Sequence, residues 1–268
     1  MRELSASGLS MFRNCPKSFE YKYIQGIKRV DQIETEQLTI GKVFHSILEG
    51  EPLEAELEPK LQMSIEASAD FVKNKYVIEA LGSTLAEVDG DTTKEFELKQ
   101  DGFIGFIDLV IRQPDGDILV DYKYVASLDY ADAYRISDQT KLYPYLYQKQ
   151  TGRKVQKFIY LCVVKPTIRL KREETQEQYF ERVKEWYTEW NSKIAEVCID
   201  RAELDDLEAE LKQDLHFIKH MIDNEMFYRN NGACNKYNTK CPYYPICYNE
   251  ENWEIYFTRE VKDDSTKK

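Results

Sequence analysis

Residues 103–125 read F-I-G-F-I-D-L-V-I-R-Q-P-D-G-D-I-L-V-D-Y-K-Y-V, and this stretch decides the fold of the chain. β-branched and aromatic residues alternate on both sides of Asp115-Gly116, a dipeptide typical of a two-residue turn between antiparallel strands. A similar run at 94–99 is separated from the first strand by Asp101-Gly102. The pattern therefore predicts a three-stranded antiparallel meander over 94–99, 103–112 and 117–125.

The register of the central hairpin brings three charged residues onto one face. With Asp115-Gly116 as a two-residue turn, Asp108 lies opposite Lys123 and Val110 lies opposite Asp121. Opposed residues share a face of the sheet, so Asp108, Asp121 and Lys123 project together. The opposite face is wholly apolar and favours this arrangement; it consists of Ile107, Leu109, Ile111, Ile118, Val120 and Tyr122.

The three charged residues suggest a hydrolytic metal site. Two carboxylates on adjacent strands can bind Mg²⁺ or Mn²⁺, which prefer oxygen ligands. A neighbouring lysine can orient or activate a metal-bound water and can stabilise charge that develops on a phosphate. A salt bridge on a solvent-exposed sheet face is the alternative interpretation of the same three residues.

The rest of the chain predicts an α/β fold, with a mixed sheet flanked by helices. A fourth, buried strand is expected at 155–164. An acidic, proline-containing loop precedes a helical pattern at 61–81, so residues 50–93 are expected to be a helical insertion in a single domain spanning 1–268. Further helices are predicted at 4–14 with Ser7 as N-cap, at 41–48, at 137–150, at 173–198 and from Asp200 onward.

Composition and charge limit the function classes. The chain has 268 residues, 42% of them hydrophobic, which is enough for one large core. A net charge of −11 argues against a polybasic nucleic-acid binder but not against a nuclease, whose metal site is built from carboxylates. No signal-like or membrane-spanning apolar run is present, so a cytoplasmic protein without membrane contact is expected. The sequence contains no G-x-x-x-x-G-K-[ST] motif, so any motor activity would come from a partner.

Four of the six cysteines suggest a metal centre. In a reducing cytosol, clustered cysteines indicate metal binding rather than disulfides. Three of them follow a C-x6-C-x5-C spacing near the C-terminus, and a fourth lies near the N-terminus. Four thiolates can bind an iron–sulfur cluster or zinc, and unrelated free thiols are the remaining alternative. The proposed ligands are Cys15, Cys234, Cys241 and Cys247, whereas Cys162 and Cys198 are interpreted as unrelated.

Several motifs together resemble one family. Asp108 followed by Asp121-Tyr122-Lys123 resembles the signature of the PD-(D/E)XK nuclease superfamily, with Ile107 in place of the proline. Residues 41–49, G-K-V-F-H-S-I-L-E, resemble the RecB-type motif G-x-x-x-H-x-x-L-E, and Gln139 with Tyr143 resembles Q-x-x-x-Y. Residues 4–19 resemble the N-terminal block of the same branch, so the resemblance spans 4–247. Similar patterns occur in CRISPR-associated RecB-like exonucleases, the AddB nuclease domain and phage-encoded versions.

The resemblance implies a restriction-endonuclease-like core that hydrolyses DNA phosphodiester bonds. It assigns His45, Asp108, Asp121 and the backbone carbonyl of Tyr122 as ligands of Mg²⁺ or Mn²⁺. It further implies that Lys123 positions or activates the attacking water. Substrate contacts would come from Gln139 and Tyr143.

The resemblance also implies a cofactor and partners. One cysteine before the nuclease core and three after it match the iron–sulfur members of the branch, so residues 1–20 and 226–250 are expected to hold a [4Fe–4S] cluster jointly, with zinc as the alternative. The expected substrate is single-stranded DNA or duplex ends, in recombination, repair or phage DNA processing with a recombination or helicase partner. The alternative functions are a non-catalytic DNA-binding or protein-interaction module and a zinc-stabilised interaction domain, the latter of which would not account for the carboxylate–lysine face.

Overall fold

The computed structural model describes residues 3–30, 36–52, 57–76, 92–129, 131–236 and 239–259. The chain divides into two compact units. The first, here called the sheet unit, is Glu36–Asp206. The second, called the terminal unit, combines Met1–Thr35 with Leu207–Lys268.

The described part of the chain contains both helices and strands. The helices are α1 (Ala6–Asn14), α2 (Pro16–Phe19), α3 (Glu36–Glu49), α4 (Pro59–Phe71), α5 (Ala131–Tyr134), α6 (Asp138–Thr151), α7 (Gln176–Trp186), α8 (Arg201–Asp223) and α9 (Tyr244–Cys247). The strands are β1 (Ile27–Arg29), β2 (Thr92–Gln100), β3 (Phe103–Ile111), β4 (Asp117–Val125), β5 (Val155–Val164), β6 (Ser192–Cys198), β7 (Asn235–Lys236), β8 (Thr239–Lys240) and β9 (Phe257–Arg259).

The sheet unit contains a five-stranded mixed sheet in the order β2-β3-β4-β5-β6. The first three strands form the antiparallel meander that the sequence predicts, and β5 spans the residues expected for the fourth strand. β4 and β5 are parallel, which requires a long crossover, and α5 and α6 provide it. The fold prediction of a mixed sheet flanked by helices is therefore confirmed.

The register of the central hairpin differs from the prediction by two residues. Leu109 pairs with Val120 and Ile111 pairs with Ile118, because the turn is centred on Pro114-Asp115, one residue earlier than Asp115-Gly116. The N–H of Gly116 donates to the carbonyl of Gln113 at 3.4 Å, so Pro114 occupies the second turn position, where its fixed φ is favoured. A shift of two residues preserves the faces, because side chains alternate with a period of two.

The apolar face of the hairpin is buried as expected. Leu109, Ile111, Ile118, Val120 and Tyr122 lie in one hydrophobic cluster with residues from α3, α4 and α7. The side chain of Phe44 on α3, for instance, stacks on Tyr124 with ring centroids 4.6 Å apart. This packing fixes α3 against the sheet and thereby positions the residues on its other side.

The predicted helix over 173–198 was wrong in its second half. α7 ends at Trp186, and Tyr187 is already extended, with φ −74° and ψ 121°. Residues Ser192–Cys198 instead form β6, which pairs with the edge of β5. Pairing with an available sheet edge, which local periodicity does not encode, outweighed the helical pattern. Cys198 consequently ends a strand rather than a helix, and Trp190 is 82% exposed instead of packing in a helical stripe.

Two smaller expectations concern helix starts and the insertion. Ser5 caps α1 rather than Ser7, since its hydroxyl accepts from the N–H of Gly8 at 3.2 Å. The described part of the insertion contains α4 and a π-helical turn at Val72–Tyr76, while residues 53–56 and 77–91 lie outside the described residues.

The terminal unit has its own small core. β1 and β9 pair antiparallel, with Ile27 opposite Arg259, although the two strands are far apart in sequence. Tyr21, Ile27, Tyr243 and Phe257 bury their side chains between these strands and α9. None of the helices described here is both long and apolar enough to span a bilayer.

Candidate active site

The site forms where the two central strands separate. β3 and β4 pair only over Leu109–Ile111 and Ile118–Val120, so the ladder stops before Asp108 and Asp121. The N–H of Tyr122 donates instead to the Asp108 carboxylate, Oδ2, at 2.6 Å. The strands therefore part at the two carboxylates, and the gap gives these side chains access to a third element.

That third element is α3, which places two ligand-type side chains beside Asp108. His45 and Glu49 lie four residues apart and share one helix face. His45 Nδ1 is 3.4 Å from Asp108 Oδ1 and 3.9 Å from Glu49 Oε1. One ligand atom from each of His45, Glu49 and Asp108 lies within 4.8 Å of the other two, a spacing that could hold one metal ion.

Asp121 and Lys123 form the second half of the site. Lys123 Nζ lies 2.6 Å from Asp121 Oδ2 and 3.3 Å from Gln139 Oε1. The amide of Gln139 also donates to Asp121 Oδ1 at 2.6 Å. Asp121 falls outside the 4.8 Å group, so the structure joins His45 and Asp108 to Glu49, whereas Asp121 contacts Lys123 and Gln139.

The charges of the site shift the pKa values of its groups. Burial lowers the pKa of His45, but the hydrogen bond and the charge of Asp108 more than offset this and raise it. Burial also disfavours the ammonium of Lys123, yet Asp121 outweighs it and raises the pKa of Lys123 above its ordinary value. The pKa of Asp121 itself is raised, chiefly by burial.

A buried oxygen atom of Glu49 indicates room for a cation. Burial, followed by the charge of the nearby Glu95 carboxylate, raises the pKa of Glu49 to about 7. Among the described residues no group donates a hydrogen bond to the buried Oε1 of Glu49, whereas the buried Oδ2 of Asp121 contacts the Lys123 ammonium. A divalent cation would satisfy the Glu49 oxygen, so the donor set fits the metal that the sequence suggested.

Gln139 and Tyr143 have different surroundings. Gln139 contacts both Asp121 and Lys123 and therefore orients these two side chains. Tyr143 is buried, and its ring lies over Gly105 of β3 so closely that a Cβ there would be 2.5 Å from Cε1. Tyr143 thus fixes α6 against the sheet, and only a glycine at 105 permits this approach.

Sequence reasoning did not assign two residues of this site. Glu49 is the last letter of the RecB-type motif and follows His45 by four residues, so helical spacing could have identified it. Glu95 carried no comparable signal. It adopts φ +46° within β2, a conformation that non-glycine residues seldom occupy, and only the fold brings its carboxylate to Glu49.

The four predicted cysteine ligands converge in the terminal unit. All of them line one small cavity of about 10 Å³, together with Ser18 and Arg229 among others. The backbone N–H of Cys241 donates to the carbonyl of Cys234 at 2.8 Å, which brings β7 and β8 together. The other two cysteines lie elsewhere, Cys162 buried in β5 and Cys198 exposed at the end of β6.

The cavity contains groups that stabilise thiolates. Burial raises the pKa of the Cys15 thiol, but N–H donors more than offset this, led by the Asn230 amide 3.5 Å from Sγ, and the net pKa is lowered. Burial raises the pKa of Cys247, which the charge of Arg229 opposes. Because the thiolate is the metal-binding form of cysteine, these donors favour a ligand role.

The central strands of the mixed sheet thus separate at two carboxylates and a lysine, groups of the kind that metal-dependent hydrolases use. A sequence profile of the PD-(D/E)XK nuclease superfamily matches residues 3–248. The chain belongs to the PD-(D/E)XK nuclease superfamily. None of the curated proteins compared with the chain matches it in sequence.

Several solved structures are similar to this chain at low sequence identity, and one of them has a TM-score above 0.5. A putative exonuclease from Eubacterium rectale superposes with a TM-score of 0.53 at 15% identity, covering 85% of this chain and 84% of that chain. A phage-related exonuclease from Haemophilus somnus has a TM-score of 0.42 at 12% identity over 84% and 96% of the two chains. An alkaline exonuclease from Laribacter hongkongensis has a TM-score of 0.38 at 11% identity over 83% and 90%.

Proposed function

We propose that this chain is a metal-dependent deoxyribonuclease, acting as an exonuclease on single-stranded DNA or duplex ends. The observation that carries the proposal is the convergence of His45, Glu49 and Asp108 within 4.8 Å beside a buried Asp121–Lys123 pair. The fold-related proteins named as exonucleases support the mode of action. The cellular role would be recombination, repair or phage DNA processing, with any motor supplied by a partner.

The acidic residues and His45 would hold the metal. His45, Glu49 and Asp108 form the group of suitable size, and Asp121 offers a buried Oδ2 at its border. Mg²⁺ or Mn²⁺ is proposed because oxygen atoms dominate this donor set. When bound, such an ion lowers the pKa of a coordinated water and offsets charge on the phosphate.

Lys123 would act as a cation rather than as a base. Because Asp121 raises its pKa, Lys123 carries a proton at neutral pH and can donate hydrogen bonds. Its ammonium would orient the attacking water and stabilise negative charge on the phosphate as the new P–O bond forms. Gln139 would keep Lys123 in place by bonding to it and to Asp121.

The four converging cysteines would bind a [4Fe–4S] cluster. Among the described residues, no three of the four sulfur atoms lie within 4.8 Å of one another. Zinc bound tetrahedrally by thiolates would require sulfur atoms about 3.8 Å apart. The wider spacing supports a multi-iron cluster, with zinc as the alternative occupant.

The nuclease proposal is tested with anaerobically purified protein and end-labelled single- and double-stranded DNA in Mn²⁺ or Mg²⁺. We expect metal-dependent cleavage that Lys123→Ala and Asp108→Ala each reduce by about 10²-fold or more. Lys157→Ala, on the neighbouring strand β5, is the matched control and should cleave as the wild type does. Release of the end label from the first nucleotides onward would identify an exonuclease.

Absence of cleavage by folded wild-type protein would overturn the catalytic proposal. The non-catalytic DNA-binding module would then remain, because it needs the fold but not the chemistry. Cleavage that survives both substitutions would equally place the active site elsewhere.

A further inference from the structure

A basic strip follows the central sheet, in a chain that is acidic overall. Residues 165–172 read K-P-T-I-R-L-K-R, so four of eight residues are cationic and none is acidic, whereas the whole chain carries a net charge of −11. The cations are Lys165, Arg169, Lys171 and Arg172. This local concentration of positive charge would attract a polyanion to this part of the surface.

Packing determines which way the strip faces. Pro166 is buried, and Ile168 and Leu170 pack against the hydrophobic cluster of the sheet unit. The intervening Arg169 and Lys171 are exposed. The alternation therefore anchors the backbone through its apolar side chains and directs the cations outward.

The backbone of the strip is held by α7. Arg182 donates to the carbonyl of Arg169 at 2.9 Å and pairs with Glu174 at 2.7 Å. The hydroxyl of Tyr179 donates to the carbonyl of Ile168 at 3.2 Å. Arg182 donates to both carboxylate oxygen atoms of Glu174 and so offsets most of the negative charge of Glu174 beside the strip. In the described ranges, none of the four forms an ion pair.

The strip forms one wall of a cleft. The opposite wall is the N-terminal part of α4, which contributes Lys60 and Ser64, and the cleft measures about 620 Å³. Among the described residues, its charged lining consists of Lys60, Lys165 and Arg169 and of one acid, Glu58. A cleft of this charge suits the phosphates of an extended strand.

The strip begins at the end of the strand that carries the catalytic pair. The N–H of Lys165 donates to the carbonyl of Val125 at 3.0 Å, and Val125 follows Lys123 by two residues on β4. Two residues of a strand span about 7 Å. A nucleic-acid strand with one phosphate at the active site could therefore extend toward the strip.

We propose that the strip and Lys60 bind the sugar–phosphate backbone of the nucleic-acid strand on its way to or from the active site. This inference rests on the proposed nuclease function for the identity of its ligand. The residues of the strip and Lys60 belong to none of the sequence motifs. They would bind the phosphates through their charge and would not recognise bases.

The test measures binding without cleavage. Fluorescence anisotropy with a fluorescein-labelled oligothymidylate is recorded in Ca²⁺ over a series of NaCl concentrations. The variant Arg169→Gln/Lys171→Gln/Arg172→Gln is compared with Lys149→Gln/Lys212→Gln/Lys219→Gln, which removes the same charge from exposed positions elsewhere. Lys60→Gln tests the opposite wall, and melting curves confirm that each protein is folded.

We expect the strip variant to lower the slope of log Kd against log salt by about 2, since each phosphate contact contributes about 0.7. At about 0.1 M salt its Kd should rise roughly ten- to a hundredfold, the upper value being the counterion-release limit for three phosphates. Lys60→Gln should lower the slope by about 0.7. The control triple variant should change much less.

Equal slopes and affinities for the two triple variants would overturn the inference and leave the nuclease proposal intact. Strip-dependent binding by a wild type that does not cleave in Mn²⁺ would overturn the nuclease proposal alone. A wild type that does not bind the oligonucleotide would overturn the inference, and the cleavage assay on single- and double-stranded DNA would then decide the nuclease proposal separately.

Discussion

At the scale of residues, one face of α3 supplies two of the three candidate metal ligands. His45 and Glu49 lie four residues apart on this helix, and Asp108 of β3 brings a carboxylate oxygen within 4.8 Å of their ligand atoms. Glu49 is largely buried and carries an oxygen atom without a hydrogen-bond donor among the described residues. Burying a carboxylate in this way is costly unless a cation compensates, so a ligand role accounts best for Glu49.

We predict that Glu49→Gln weakens Mn²⁺ binding at least tenfold, because an amide oxygen carries no charge to offset that of the ion. Isothermal titration calorimetry on the apoprotein measures the change. Glu97→Gln, exposed on β2, removes an equal charge and should leave the Kd near that of the wild type. A Kd unchanged by Glu49→Gln would exclude Glu49 from the metal site.

At the level of elements, the hairpin β3–β4 is held at its turn by an ion pair between a buried carboxylate and a half-exposed arginine. Asp117 is fully buried and accepts from Arg153 at 2.6 Å, from the Tyr147 hydroxyl at 2.7 Å and from the Gln113 N–H at 3.1 Å. These donors tie the turn to α6 and to the start of β5. They hold the register from which Asp108 and Asp121 diverge.

The same contacts predict how stability depends on pH. Burial raises the pKa of Asp117, but Arg153, Tyr147 and Gln113 outweigh it and lower the pKa below the ordinary value of 3.8. The carboxylate therefore stabilises the fold above about pH 4, and this contribution is lost as pH falls through the depressed folded-state pKa.

Asp117→Asn should accordingly lower the free energy of unfolding by about 1–2 kcal/mol at neutral pH, because the buried charged acceptor of these hydrogen bonds is lost while Arg153 remains accessible to water. The difference from the wild type should shrink below the folded-state pKa. Urea unfolding followed by circular dichroism at the two pH extremes measures it. Asp115→Asn, exposed in the same turn, should have little effect, and an equal loss for both variants would contradict the role of the ion pair.

At the scale of the molecule, the terminal unit joins the two ends of the chain. Cys15 and the three late cysteines meet in one cavity, and β1 pairs with β9. A metal bound there would close a loop that contains most of the sequence. Such a cross-link restricts the unfolded chain strongly and adds to a small apolar core.

Metal analysis tests this arrangement. We expect anaerobically purified wild type to be brown with about four iron atoms per chain. Cys241→Ser should lose iron and lower the melting temperature, whereas Cys198→Ser, outside the cavity, should do neither. Colourless protein that contains one zinc ion per chain would show that zinc, and not a cluster, occupies the cysteine site. Protein that contains neither metal would overturn the metal role of the cysteines.

The sequence by itself determined the elements whose pattern is local. The alternating runs defined the meander and its buried face. Because Asp121 and Lys123 are two residues apart on one strand, both lie on the same face, and a register shift of two residues does not change this. It also predicted the residues of the cysteine cavity, because cysteines clustered in a reducing compartment indicate a shared metal.

Only the tertiary structure decided what depends on contacts between distant segments. Strand β6 formed because the edge of β5 was available, although the local pattern was helical. The turn at Pro114 shifted the hairpin register by two residues, and Glu95 reached Glu49 through a backbone conformation that its side chain does not favour. The basic strip became a surface because Ile168 and Leu170 packed inward. The local periodicity of the sequence indicates which side chains prefer water. Which strands pair, and at which residues paired strands separate, is determined by the three-dimensional packing of the whole sheet.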